Sequence, residues 1–301
     1  MDGHRVVPMR DESALLGLGR VVDATGLIPA DARGPLIATL VTYAAAARGL
    51  GAERIAFVGT EPLRRAADAR AVVVAVEGAT GVPLHVVDHR EEGLLTLLGA
   101  TSGRAVQAEL LLVDIGGGST QIVLAGPSRR ARATGLRVGG ARLTEAHVTH
   151  DPPTPGEIAA LRAAASAALR AAPDAAPAEI VIVGGTASNL LKIVPGALHD
   201  RYLTPERLAE AFETLCAASA ADVAARFAIR PQRARILAAG AALLEAILAR
   251  YGVRRATASE EGIREGTVLA LGRAGAAWRD RLEALAHGWG ADGAAGPAAE
   301  R

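Results

Sequence analysis

The sequence predicts an α/β protein, because short apolar runs alternate along the chain with longer helical patterns. The composition agrees with this class. Of the 301 residues, 50% are hydrophobic and only 3% are aromatic, so the core must be filled by Leu, Val, Ile and Ala. Such side chains suit helices that pack closely against a sheet. The length predicts two domains with sizeable cores.

Five short apolar runs predict buried strands, since each ends at a polar or glycine-containing turn. They cover residues 55–58, 84–87, 110–113, 122–124 and 180–183. Five longer stretches predict helices, at residues 32–48, 91–102, 155–171, 205–218 and 233–251. Thr154 and Thr204 each precede a proline, which predicts an N-cap followed by proline at the first helical position.

The loop GPSRRA at residues 126–131 predicts a domain boundary, because it separates two extended segments. We therefore expect one domain at residues 1–126 and a second at 127–275. The remaining residues, 276–301, are expected to form a largely disordered tail, since the stretch from His287 has no periodicity.

Charge and cysteine content exclude several classes of protein. The net charge is +1 and there is no basic stripe with interleaved aromatic residues, so no nucleic-acid partner is expected. Cys216 is the single cysteine, which excludes a disulfide framework and fits a reducing cytoplasm. The first ten residues lack the apolar region of a signal peptide, and no apolar run approaches the roughly 20 residues of a membrane span. We expect a soluble, cytoplasmic protein without a membrane partner.

The most informative motif is LLLVDIGGGSTQIVL at residues 110–124. It predicts a strand, a turn and a second strand that together hold a phosphate. Gly116, Gly117 and Gly118 have no Cβ atoms, so their backbone N–H groups can approach phosphate oxygens. Asp114 ends the first strand and could hold Mg²⁺ directly or through water. The alternative interpretation is a glycine-rich structural turn.

Other polar segments accompany this motif. DHREEGLLTLLGA (88–100) has paired glutamates where a strand meets a helix, and VGTEPLRRAADA (58–69) follows another strand. Four more segments follow downstream: GLRVGGARLTE (135–145), VIVGGTASNLLKI (181–193), RARILAAGAALLEAI (233–247) and SEEGIREG (259–266).

In this order the segments resemble the exopolyphosphatase and guanosine pentaphosphate phosphatase (Ppx/GppA) family, to about Leu271. The resemblance implies two domains of the actin-like ATPase (ribonuclease H-like) fold, with the active site in the cleft between them. It also implies a Mg²⁺-dependent phosphoanhydride hydrolase. The expected reaction removes the terminal phosphate of inorganic polyphosphate or guanosine pentaphosphate by attack of water. Family members are commonly dimers, so a homodimer is expected.

The resemblance also assigns roles to residues. Glu92 matches the family's catalytic base, which orients and deprotonates water, whereas Glu91 is expected only to favour the helix N-terminus. Arg64 matches an arginine that binds phosphate, a task suited to the guanidinium fork; Arg65 is expected to point elsewhere. Phosphate contacts are further expected at the two glycine turns, from Gly116, Gly117, Gly118, Ser119, Thr120, Gly185 and Thr186.

Three departures from the family pattern are visible. No DxGxNS strand occurs in residues 1–54, whose sequence resembles what normally follows that strand, so we expect either a misassigned start codon or the loss of a first phosphate loop. Gln121 replaces a glutamate of the family pattern that would help to hold Mg²⁺ or to shape the water site; the amide keeps the size and hydrogen bonding but is a weaker ligand for a hard cation. Arg235 replaces an Asp.

Two other functions are therefore open. One is a catalytically impaired relative that binds polyphosphate or a guanosine alarmone without turnover. The other is a sugar or acetate kinase of the same fold. The paired glutamates Glu91 and Glu92 argue against the kinase, because kinases of this fold lack such a pair before the second phosphate loop.

Overall fold

The structure is a computed structural model that describes residues 6–14, 16–127 and 129–288. Strands and helices alternate along the described chain, so the predicted α/β class is confirmed. The chain divides into two compact units, Met1–Glu92 and Gly93–Arg301. The predicted division differs, because residues 126–131 lie inside the second unit.

The first unit contains a two-stranded parallel sheet of β1 (Phe57–Gly59) and β2 (Leu84–Val86). Its helices are α1 (Leu18–Thr25), α2 (Ala30–Gly49), α3 (Glu61–Arg65) and α4 (Ala69–Thr80). A cluster of buried aliphatic residues holds these elements together, among them Val22, Ile28, Leu36, Leu63, Val72, Val76 and Leu84. Helix α5 (His89–Thr101) begins in this unit and continues into the second.

The second unit is built on a six-stranded sheet with the order β5-β4-β3-β6-β8-β7. Its strands are β3 (Leu110–Ile115), β4 (Thr120–Gly126), β5 (Arg129–Leu136), β6 (Glu179–Val183), β7 (Tyr202–Leu203) and β8 (Ala256–Ala258). The central strands β3, β6 and β8 are parallel. Strand β4 pairs antiparallel with β3, and β5 pairs antiparallel with β4. The continuous apolar run of β3 follows from this position, because a central strand is buried on both faces.

Helices surround this sheet. They are α6 (Gly140–His147), α7 (Pro155–Ala168), α8 (Gly184–Ile193), α9 (Ala197–Asp200), α10 (Pro205–Ala217), α11 (Ala220–Phe227), α12 (Pro231–Arg235), α13 (Leu237–Tyr251), α14 (Ile263–Ala274) and α15 (Trp278–His287), with 3₁₀ turns at Leu169–Ala171 and Gly275–Ala277. Helix α13 is buried over nearly its whole length, which explains why it is apolar on all sides. No helix in the described ranges is long and apolar enough to cross a membrane.

Local signals at helix starts are confirmed. The Thr154 hydroxyl accepts a hydrogen bond from the Glu157 backbone N–H, and the Glu157 carboxylate accepts one from the Thr154 backbone N–H, which completes a capping box. The Thr204 hydroxyl caps α10 in the same way.

Three predictions differ from the structure. The helix predicted at 233–251 is interrupted at Ile236, where α12 ends and α13 begins. The described residues of the loop at 126–131 belong to one hairpin, since Gly126 of β4 pairs with Arg129 of β5. The prediction of a disordered tail is wrong for residues 278–287, which form α15 with Trp278 and His287 buried; residues 289–301 lie outside the described residues.

Candidate functional site

The glycine loop joins β3 to β4 as a tight hairpin. Ile115 pairs with Thr120 at the end of the ladder, and the Gly116 N–H donates to the Ser119 carbonyl at 2.9 Å. Thr120 is fully buried, and its hydroxyl donates to the Val138 carbonyl at 2.7 Å. The structure therefore places Gly116 to Ser119 in the loop itself, and it uses the Thr120 hydroxyl to fix the base of the loop.

The first turn of α6 binds the carbonyl side of this loop. The Gly140 N–H donates to the Gly116 carbonyl at 2.9 Å, and the Ala141 N–H donates to the Gly117 carbonyl at 2.8 Å. In a planar trans peptide the C=O and the following N–H point in opposite directions. The amides of Gly117 and Gly118 therefore point away from α6. Among residues 6–14, 16–127 and 129–288, no group accepts a hydrogen bond from these two amides outside the ladder.

Packing within the unit does not explain why glycine occupies two of the three glycine positions of the loop, Gly117 and Gly118. A Cβ atom at Gly117 would lie 3.5 Å from the Ala141 Cβ, and one at Gly118 would lie 3.9 Å from the Arg142 guanidinium, both ordinary contacts. Neither residue has a positive φ. Packing and backbone conformation therefore do not require glycine at these two positions, whereas a phosphate clamp favours residues without side chains.

Asp114 lies beside a second glycine turn. It is the next-to-last residue of β3 and pairs with Val183 of β6, after which α8 begins. A Cβ atom at Gly184 would lie 2.5 Å from Asp114 Oδ1, and Gly184 has a φ of +82°, so only glycine fits there. The carboxylate of Asp114 thus lies next to the positive end of the α8 dipole.

Gly185 and Thr186 do not form an isolated turn, because they belong to the first turn of α8. The Thr186 hydroxyl is buried and donates to the Ile115 carbonyl at 2.7 Å, which ties this turn to β3. The groups left for a ligand are the backbone N–H groups of the first turn, which have no partner within a helix. Phosphate binding by Gly185 and Thr186 stays a prediction.

Arg233 is a further candidate, which no sequence motif indicates. A Cβ atom at Gly185 would lie 3.4 Å from Arg233 Nη1, so the guanidinium lies beside the start of α8. Burial and the neighbouring charge of Arg230 lower the pKa of Arg233, while Asp114 opposes that change. Arg233 keeps its charge because arginine is effectively always protonated. Its sequence signal, one arginine in an Arg-rich stretch, does not distinguish it from its neighbours.

In the first unit, the structure brings Arg64 and Glu92 together. Arg64 Nη1 donates to Glu92 Oε2 at 3.0 Å and to the Val87 carbonyl at 2.6 Å. Its other terminal nitrogen lies 3.0 Å from His89 Nδ1. Both charged side chains are less than one fifth exposed. The residue predicted to grip phosphate is thus the residue that orients the predicted base.

The neighbours of these two residues have structural roles, as predicted. Glu91 and Asp88 form reciprocal side chain to backbone hydrogen bonds of 3.0 and 2.7 Å at the start of α5, a capping box. Arg65 forms ion pairs with Glu61 at 2.5 Å and Asp23 at 2.6 Å. The hydrogen bonds that Arg65 donates to these carboxylates raise its pKa above the ordinary value, and the bond to Glu61 makes the largest contribution.

The structure shows the surroundings of Gln121 and Arg235, the two residues that depart from the family pattern. Gln121 is buried and lies directly opposite Asp114 in the β3–β4 ladder, so the amide replaces a charge next to the predicted metal ligand. Arg235 donates to the carbonyls of His150 at 2.8 Å and Val148 at 3.3 Å. It therefore stabilises the chain that follows α6, a task that an aspartate could not perform because it has no donor.

The side chains near the glycine loop suit a Mg²⁺ ion that substrate phosphates and water also bind, rather than a metal ion held by protein ligands alone. Among the described residues there is no group of three or more His, Cys, Asp or Glu side chains that could hold a metal ion. Mg²⁺ is often bound through one or two carboxylates together with substrate phosphates and water. Asp114, beside the glycine loop, supplies such a carboxylate.

A carboxylate at a strand end, next to a glycine loop and to a helix that begins with glycine, is an arrangement typical of phosphate-binding proteins of the α/β class. Residues 1–272 match the model of the Ppx/GppA phosphatase family. The chain belongs to this family and is a hydrolase of the Ppx/GppA type.

Similar proteins agree with this assignment. Exopolyphosphatase 2 of Mycobacterium tuberculosis is 29% identical over 281 residues, covering 86% of this chain and 88% of that protein. Exopolyphosphatase 1 of Mycobacterium bovis is 27% identical over 294 residues, covering 89% and 83%. The crystal structure of the Aquifex aeolicus Ppx/GppA family member matches with a TM-score of 0.72 and 26% identity, covering 85% of this chain and 86% of that one.

The fold has a further match. An exopolyphosphatase from Cytophaga hutchinsonii matches with a TM-score of 0.75 at 19% identity, covering 87% of this chain and 89% of that one. Together with the Aquifex aeolicus structure it confirms the actin-like ATPase fold.

Proposed function

We propose that this chain removes the terminal phosphate of inorganic polyphosphate by direct attack of water on phosphorus. The glycine loop carries the proposal: the amides of Gly117 and Gly118 point away from α6 and have no acceptor among the described residues. Convergent N–H groups of this kind bind phosphate oxygens. The names of the relatives, exopolyphosphatases, support polyphosphate as the substrate.

The proposed chemistry needs one proton acceptor and one phosphate clamp. Glu92 accepts a proton from water while the water oxygen forms a bond to the terminal phosphorus. The bond between that phosphorus and the bridging oxygen breaks, and its electron pair leaves with the shortened chain. Arg64 donates to Glu92 at 3.0 Å, so it orients the carboxylate and brings a positive charge to the reacting phosphate.

The second unit binds the chain that is being shortened. The glycine-loop amides hold phosphate oxygens, and Arg233 with the first turn of α8 offers further donors for a longer polyanion. A Mg²⁺ ion held by Asp114 would neutralise charge on the phosphate oxygens. Cytoplasmic location and a homodimer stay predictions.

One observation favours a second candidate, a relative that binds polyphosphate or a guanosine alarmone without turnover. Gln121 is buried opposite Asp114, where a carboxylate would strengthen cation binding. This candidate predicts that ligands bind and are not hydrolysed. Guanosine pentaphosphate also carries a terminal phosphoanhydride, so the same assay must include it.

The deciding experiment measures phosphate release from polyphosphate and from guanosine pentaphosphate with Mg²⁺, for the wild type and Glu92→Gln. We expect kcat on polyphosphate to fall about 100-fold to 10,000-fold in the variant, the usual contribution of a general base. Glu91→Gln is the matched control, since Glu91 precedes Glu92 on α5 and caps the helix; its kcat should stay within a few-fold of the wild type.

The other outcomes separate the alternatives. Binding without turnover by the wild type would contradict the proposed hydrolase activity and support the second candidate, a relative that only binds the ligand. Full turnover by Glu92→Gln would show that Glu92 is not the general base. Release from guanosine pentaphosphate alone would change the substrate and keep the reaction class.

A further inference from the structure

A side chain completes the set of contacts that hold the glycine loop. Arg142 is the third residue of α6, and its Nε donates to the Gly118 carbonyl at 3.2 Å. Its backbone N–H donates to the Gly117 carbonyl at 3.1 Å. Three consecutive carbonyls, those of residues 116, 117 and 118, therefore bind the first turn of α6.

The third contact fixes the direction of a third amide. Because the peptide between Gly118 and Ser119 is planar and trans, a carbonyl held toward Arg142 turns the Ser119 N–H the opposite way. The Ser119 amide then points to the same side as the amides of Gly117 and Gly118. Among the described residues it has no acceptor outside the strand ladder. Three parallel N–H groups surround an anion better than two.

The glycine loop packs closely against the start of α6. A Cβ atom at Gly139 would lie 2.6 Å from the Gly117 carbonyl and 2.7 Å from the Gly116 carbonyl, so the loop and the helix start are in the closest possible contact. The buried Thr120 hydroxyl also ties the loop to Val138. Two of the three loop carbonyls are held by backbone groups, which a substitution leaves in place. The Gly118 carbonyl alone depends on a side chain.

We propose that Arg142 is a positioning residue of the phosphate site: it holds the Gly118–Ser119 peptide so that the Ser119 amide faces the bound phosphate. The proposal rests on the proposed function, because it requires an anion at the glycine loop. Without the guanidinium this peptide is free to rotate, and one donor of the three is lost. The role is distinct from that of a residue that only stabilises the fold.

The test combines kinetics with an amide-resolved binding measurement. Inorganic triphosphate with Mg²⁺ is titrated into ¹⁵N-labelled wild type, Arg142→Ala, Arg142→Lys and Arg132→Ala, and amide shifts are followed at Gly117, Gly118 and Ser119. Arg132 is the matched control because it is an exposed arginine on β5 of the same unit. The KM and kcat for polyphosphate are measured on the same proteins.

In Arg142→Ala we expect the dissociation constant of triphosphate to rise at least about tenfold, as the loss of the Ser119 hydrogen bond to a charged phosphate implies. The Ser119 amide should lose its response to triphosphate while Gly117 and Gly118 keep theirs. KM should rise more than kcat falls. Arg142→Lys should recover part of the Ser119 response, because an ammonium group can donate to the same carbonyl.

Several results would overturn the proposal. An unchanged Ser119 response in Arg142→Ala would show that the peptide holds its direction without the guanidinium. Equal losses of triphosphate affinity and of the Ser119 response in Arg132→Ala would show that the effect comes from the net charge of the unit and not from the position of Arg142. If Arg142→Ala does not fold, Arg142→Lys decides: a lysine variant that folds but shows no Ser119 response contradicts positioning. Absence of triphosphate binding and of turnover in the wild type would instead refute the proposed function, and the role of Arg142 with it.

Discussion

At the scale of single residues, Glu157 organises the loop between α6 and α7. Its Oε1 accepts hydrogen bonds from the backbone N–H groups of Thr149 at 2.6 Å and His150 at 3.1 Å, and its Oε2 accepts from the Thr154 N–H at 2.8 Å. The Thr154 N–H, followed by those of Thr149 and His150, holds the pKa of Glu157 far below its usual value. Donors that bind the charged form have this effect.

This pKa shift predicts how stability depends on pH. Because the folded pKa lies below the ordinary value of 4.5, the stabilisation by Glu157 is fully present above about pH 5 and is lost as the pH falls toward the folded pKa. Glu157→Gln should therefore unfold at lower urea than the wild type at pH 7, and the difference in midpoint should shrink between pH 5 and pH 3. Glu179→Gln, at an exposed position on β6, is the control. A difference that stays constant over this range would contradict the assignment.

Sequence reasoning succeeds with residues whose role is local and fails with residues whose role depends on distant contacts. The cap at Thr154 and the helix-start role of Glu91 follow from neighbours three residues away. Arg233 and Arg235 look alike in the sequence. Only the fold shows that one lies beside Gly185 while the other binds carbonyls about 85 residues earlier in the chain.

At the scale of elements, α5 and α14 pack with their backbones in contact. A Cβ atom at Gly99 would overlap the Gly262 carbonyl oxygen, and one at Gly266 would overlap the Leu95 carbonyl oxygen. Each helix contributes a glycine at the point where the other backbone passes. The Gly-x-Arg-Glu-Gly segment thus has a packing role in addition to any role in the family pattern.

Gly99→Ala should lower the free energy of unfolding by about 2 kcal/mol or more, since two backbones must separate to admit one methyl group. Urea unfolding followed by circular dichroism measures the change. Gly156→Ala is the matched control in the same unit: it lies in the first turn of α7, and a Cβ atom there would come no closer than 4.0 Å to its nearest neighbour. The control should match the wild type or gain up to about 1 kcal/mol. Equal effects of the two substitutions would contradict close packing of α5 on α14.

The elements themselves divide into those with a clear periodicity and those without. The predicted strands at 110–113, 122–124 and 180–183 and the helices at 155–171 and 205–218 lie within or close to observed elements. The family resemblance implies a turn at Gly185 and Thr186, whereas both residues lie in the first turn of α8. Its first turn is held by Thr186 bonding to β3, a contact that no local pattern predicts.

At the scale of the whole molecule, long-range contacts decide what is ordered. The lack of periodicity from His287 onward predicts a largely disordered tail at residues 276–301, whereas residues 278–287 form α15. It is held by non-local contacts: Trp278 is buried, and the buried His287 accepts a hydrogen bond from the Ala131 N–H of β5 at 2.9 Å. The fold class was accessible from the alternation of strands and helices, whereas the limits of the units required these contacts.

The two units differ in how much core they contain. In the described residues, the first has a small cluster around a two-stranded sheet, while the second has an extended core around six strands and α13. A smaller core buries less apolar surface and so supports a smaller free energy of opening. We therefore expect the first unit to open before the second unit unfolds.

Native-state hydrogen exchange in increasing urea, read by mass spectrometry, tests this expectation. Peptides that cover residues 57–86 should exchange through an opening of lower free energy than peptides that cover 110–124 and 180–183. The last two peptides are the internal control: they pair through β3 and β6 and should give the same free energy as each other. One free energy and one urea dependence for all three peptides would mean that the chain unfolds as a single cooperative body. Opening of the first unit alone would also expose the Arg64–Glu92 pair, so activity should then fall at urea concentrations where the exchange of the central strands is still slow.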